Sequence, residues 1–94
     1  MAAHEPQVTY NHDQIQRWAE ERDGRPTRVR GTGDEDDTGI LRIDFPGYSG
    51  DGDLEEISWS EFFDKFEESQ LALLYQEETK SGEVSNFNKL IRRR

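Results

Sequence analysis

Apolar residues in this chain fall in short periodic clusters separated by polar, glycine-rich stretches. Ile15, Trp18 and Ala19 follow helical spacing, and the stem of Arg22 lies beside the same stripe. Asn11 precedes them as a helix N-cap, with Gln14 three residues on as its partner. Gly24 offers a left-handed stop and Pro26 bars continuation, so the pattern predicts a first helix over residues 12–23. Thr27 to Arg30 reads as a short polar strand at a sheet edge. In Ile40 to Phe45 the residues Leu41, Ile43 and Phe45 share one face and Arg42 and Asp44 the other, which predicts a half-buried strand.

The clearest start signal follows. Ser58 as N-cap, Glu61 at N3, Ile57 at N′ and Phe62 at N4 form a capping box with a hydrophobic staple. Trp59, Phe62, Phe63 and Phe66 then mark one face of a helix over residues 59–68. Leu71 to Tyr75 is apolar on both faces, as a central strand is. A turn at Thr79-Lys80-Ser81-Gly82 leads to a partner strand over Val84 to Ile91, with Phe87 and Ile91 facing the core. Residues 1–10 lack periodicity and are expected to be a disordered tail, leaving 11–94 as a single domain. The order is α-β-β-α-β-β. The expected class is α+β, with two helices on one face of a small, mostly antiparallel sheet of three or four strands.

Composition narrows this picture. At 94 residues the chain suffices for one domain. Charged residues (35%) outnumber hydrophobic ones (31%), a balance close to that of disordered chains, but 11% aromatics in periodic clusters argue for a thin core. The absence of cysteine removes disulfides, thiolate nucleophiles and cysteine-based metal sites. No basic, apolar leader opens the chain, and the run Leu71 to Tyr75 is far short of the roughly 20 residues that span a bilayer. A cytoplasmic location and no membrane contact are therefore expected. Residues 34–94 carry sixteen acidic and seven basic side chains, against five of each in residues 1–33, which accounts for the net charge of −9. Such a surface disfavours nucleic-acid phosphates.

Candidate chemistry is sparse. His4 and His12 are the only histidines, and no serine sits in a nucleophile elbow. Carboxylate pairs are plentiful but lie in glycine-rich loops, which do not fix the geometry that glycoside chemistry needs. No catalytic residue and no cofactor are expected. Asp34-x-Asp36-x-Thr38-Gly39 matches the first half of a calcium loop, but its twelfth position is Phe45 where a bidentate glutamate is required, and Asp51-x-Asp53 lacks the later positions. Asp34, Asp36, Asp51 and Asp53 are thus weak metal-ligand candidates, and a solvated acidic loop is the commoner outcome. Arg25, Arg28 and Arg30 lie close together, and Arg92 and Arg93 near the end of the chain could complete a basic face for nucleic acid. Local pairing with acidic neighbours competes with that role. Tyr48 and Trp59, if exposed together, would offer a partner surface.

Ile15 to Gly24, Gly31-Thr32-Gly33, Gly39 to Gly47 (GILRIDFPG), Leu54 to Leu74 (with ISWSEFFDKFEES) and Ser85 to Leu90 cover most of the chain beyond the tail. Together these stretches resemble a small, uncharacterised bacterial family of about this length, some members of which carry the name 1,4-alpha-glucan branching enzyme. Enzymes of that name act through a barrel of about 250 residues, which 94 residues cannot build. The resemblance implies domain boundaries and a bacterial origin, and it transfers no catalytic residue. The functional expectation is a small accessory or protein-interaction domain without catalytic activity, a monomer or weak homodimer with an unknown protein partner. It would dock through a sheet edge at Thr27 to Arg30 or at Phe87 to Ile91. The alternatives are nucleic-acid contact through the arginine face and a carbohydrate-related or metal-binding role of the acidic loops.

Overall fold

Two helix caps set the frame. In the computed structural model, which describes residues 5–33, 39–46, 53–79 and 81–93, the Asn11 side chain accepts from Gln14 N at 2.9 Å and starts helix α1, His12–Glu20. Ser58 Oγ accepts from Glu61 N at 3.0 Å and starts helix α2, Trp59–Glu68. Each cap satisfies an N–H that a helix start otherwise leaves unpaired. Six strands accompany the helices: β1 Gln7–Thr9, β2 Arg25–Val29, β3 Leu41–Asp44, β4 Leu54–Glu56, β5 Leu71–Tyr75 and β6 Asn88–Arg92.

The fold is α+β, but its strands form two three-stranded antiparallel sheets rather than one, in the orders β1-β5-β6 and β3-β2-β4. Two of the strands have no pattern long enough to read. β1 lies within the stretch expected as a disordered tail, and it pairs Gln7, Val8 and Thr9 with Tyr75, Leu74 and Leu73. β4 is three residues long and doubly acidic.

The second difference concerns β2. The expected edge strand is the centre of its sheet, with Thr27 opposite Arg42 on one side and opposite Glu56 on the other. Charge explains why a polar strand sits there, because the acidic β4 lies directly across from Arg28. Pro26 fits because its missing N–H faces away from β3 and, on the β4 side, lies one position beyond the β2–β4 ladder. Val29 N bonds Ile40 O at 2.8 Å, so the alternation of antiparallel pairs makes Pro26 and Ile43 a non-bonded pair. On the other side Pro26 O accepts from Ile57 N, just past the end of β4.

Both helices and both sheets contribute to one core. Ile15, Trp18 and Ala19 of α1 and Phe62, Phe63 and Phe66 of α2 pack with Leu41, Ile43 and Phe45 and with Leu73 and Tyr75. α1 ends earlier than the spacing predicts, and its stop differs from the expected one. Asp23, not Gly24, adopts the left-handed conformation (φ 58°), which aspartate tolerates better than most residues. Gly24 is required for space, since a Cβ there would lie 2.7 Å from Phe45 Cε1. Phe87 and Ile91 are the expected core positions, but Leu90 between them packs against the core, so Phe87 and Ile91 lie on the opposite face and Phe87 is 47% exposed.

Candidate docking site

Among the described residues, β6 is held on one side only. Gln76 N donates to Phe87 O at 3.2 Å and Arg93 N to Gln70 O at 2.8 Å, one pair beyond each end of the β5–β6 ladder. Antiparallel pairs alternate between exchanging backbone bonds and exchanging none. Lys89 and Ile91 therefore bond β5, while Asn88, Leu90 and Arg92 turn their N–H and C=O groups toward the open side. No strand among the described residues occupies that side. Val84 (69% exposed) and Phe87 lead into this edge with apolar surface.

Beside β6 lies a cleft of about 420 Å³, bordered also by β3, the edge strand of the other sheet. Arg42, Lys65 and Arg92 line it, together with the hydroxyl residues Thr32 and Ser69. Thr32 is fixed by two bonds, donating from Oγ1 to Val29 O and accepting from Ile40 N at 3.0 Å.

A compact polar cluster ties the start of α1 to the end of β6. Glu67 Oε2 accepts from His12 Nε2 at 2.7 Å and from Arg93 Nη2 at 2.6 Å, and Arg93 Nε donates to Leu71 O at 2.6 Å. The His12 ring stacks on Phe63 with 4.2 Å between centroids, and the Arg93 guanidinium lies over Tyr10 at 4.5 Å. Arg93, and after it His12, hold the Glu67 carboxyl below the usual glutamate range by hydrogen bonding its charged form. Through these bonds the cluster fastens α1, α2 and the end of β6 to one another.

Arg22 is a second fastener. Its Nε donates to Ser85 O, its Nη1 to Trp18 O and its Nη2 to Glu77 O, at 2.6, 3.0 and 2.9 Å. Burial lowers its pKa from the ordinary arginine value. The sequence places its stem correctly but carries no signal for carbonyls more than fifty positions away. The same is true of the pairing of His12 with Glu67.

The residues singled out from sequence are dispersed. Arg25 pairs with Glu56 at 3.2 Å and Arg28 with Glu55 at 2.6 Å, Arg30 donates to Leu54 O at 3.4 Å, and Arg93 is held by Glu67. Only Arg92 of this set lines the cleft. Trp59 is partly buried against Phe62 and Phe63, at 5.2 and 5.5 Å between centroids, as a rim of the core. Asp53 is exposed and its backbone oxygen accepts from Arg30 N. Asp34, Asp36, Tyr48 and Asp51 lie outside the described residues. Among the described residues no group of three or more histidine, aspartate or glutamate side chains could hold a metal ion. No described helix is long and apolar enough to cross a membrane. No family model matches the chain, and no curated protein or solved structure is found similar to it.

Proposed function

We propose that this protein is a non-catalytic interaction module that docks a protein partner by strand addition at β6. The observation that carries the reading is the open edge of β6, where Asn88, Leu90 and Arg92 have backbone groups directed away from β5. The Thr27 to Arg30 edge drops out as a docking surface, because both sides of β2 are already paired. The ion pairs of Arg25, Arg28 and Arg93 weigh against the nucleic-acid alternative, since those charges are already compensated. A chain without cysteine needs no oxidising compartment to fold, which supports a cytoplasmic site of action. The family resemblance supports a bacterial one.

Asn88→Pro tests the edge directly. It removes one outward N–H at the first residue of the strand, where proline is tolerated, and leaves the bonds to β5 in place. Tagged wild-type protein and Asn88→Ala should capture the same dominant partner from bacterial lysate, and Asn88→Pro should lose it. Equal capture by the proline variant rejects edge docking. Recovery of nucleic acid that elutes at moderate salt would favour the arginine reading instead.

A further inference from the structure

The chain has a net charge of −9, yet both charged side chains of β6 itself are cationic. Lys89 and Arg92 are both exposed, and neither has a carboxylate partner among the described residues. Arg42, across the cleft, also has none, and Lys65 meets Glu68 at 3.3 Å. Charges of one sign on an edge strand oppose pairing between two copies of the same edge. The same charges attract a strand of opposite sign.

We propose that the partner segment is an extended acidic peptide. It pairs with the outward backbone groups of Asn88, Leu90 and Arg92, and its carboxylates meet Arg92 and Arg42 at the cleft. This inference rests on the docking function proposed above and gives the partner its chemistry. Side chains of an added strand alternate between the two faces of the sheet. Glutamates at every second position would share the face of Leu90 and Arg92. The residues between them would share the face of Ile91, so apolar side chains fit there.

The probe is a fluorescent peptide alternating glutamate and valine, with a lysine–valine peptide as control, followed by anisotropy at low and moderate salt. The wild-type protein should bind the glutamate peptide and not the lysine peptide, and binding should weaken as salt rises. Arg42→Glu/Arg92→Glu should bind the glutamate peptide at least about 10-fold more weakly, the scale of two exposed ion pairs lost. Asn88→Pro should weaken it as well, with circular dichroism confirming that both variants fold. Equal binding of the two peptides overturns the proposal. So does inorganic polyphosphate that displaces the glutamate peptide and binds Asn88→Pro undiminished, because the cleft would then be a general anion site without strand pairing. Failure of the glutamate peptide to bind, with lysate capture still sensitive to Asn88→Pro, overturns the acidic partner and leaves edge docking standing. Capture insensitive to Asn88→Pro removes edge docking itself.

Discussion

The two sheets have the same size and the same antiparallel pairing, yet their central strands are held in opposite ways. β5 is an apolar run whose Leu73 and Tyr75 are buried in the core. β2 buries only Pro26 and Thr27, and neither belongs to the hydrophobic cluster. It is fixed laterally, by Thr27 Oγ1 donating to Arg42 O at 3.0 Å and by the ion pairs of Arg25 and Arg28 with the two glutamates of β4. Hydrophobicity on both faces marks a central strand only where both faces are dry. A strand at the rim of the core can be central through cross-strand polar pairs, and its sequence then looks like that of an edge.

This contrast is open to direct attack, and the largest expected effect lies in the apolar sheet. Leu73→Ala removes a fully buried side chain and should lower the unfolding free energy by about 2–5 kcal/mol, read from urea denaturation. A loss below 1 kcal/mol, on the same scale as surface changes, would mean that β5 does not anchor the core. Gly24→Ala comes next. Its methyl group would press on Phe45, Ile43 and Ala19 O at the entry to the polar sheet, and a cost of about 1–3 kcal/mol is expected. An unchanged melting temperature would show that the junction yields freely.

Arg28→Ala probes the lateral support itself. Both Nε and Nη2 reach Glu55 Oε1, at 2.8 and 2.6 Å, on a partly exposed pair, so a loss of about 1 kcal/mol is expected, smaller at high salt. A loss that salt leaves untouched would assign the effect to packing of the arginine stem. Glu67→Gln separates the two sheets by pH. The folded carboxyl titrates below the usual glutamate range, so its stabilisation is complete at neutral pH and is lost as pH falls through the folded value. The variant should therefore be less stable than wild type at neutral pH, and the gap should close in acid. A gap that is constant with pH would remove the electrostatic tie between α2 and β6. The smallest effect is expected for Arg25→Ala, whose pair with Glu56 is exposed on both sides, so its stability should stay within about 0.5 kcal/mol of wild type. A larger drop would show that the β2–β4 pairing depends on this rim charge.

Local signals translated well where a single stretch of chain carries its own instruction. α2 begins and ends where its capping box and aromatic spacing predict, over Trp59–Glu68. The alternation of Leu41, Ile43 and Phe45 gives the buried face of β3, and the apolar run Leu71 to Tyr75 gives β5 as a sheet centre. The strands without such an instruction, β1 and β4, are three residues each, too short for a period of two to stand out from loop sequence. The docking edge was half legible, since its position near the end of the chain is apparent from sequence, while the expectation that Phe87 faces the core is not met.

The sequence by itself therefore determined the two helices, the apolar strands, the α+β class and the overall negative charge, because each follows from neighbours within a few positions or from composition. Tertiary structure alone decided that the strands divide into two sheets, that β2 lies inside one of them and β6 at the border of the other, and that Arg42, Lys65 and Arg92 share a cleft. Those outcomes depend on which strand lies beside which. Pairing of this kind is set by contacts between distant positions, as between Gln7 and Tyr75 or between His12 and Glu67, and no local period encodes them.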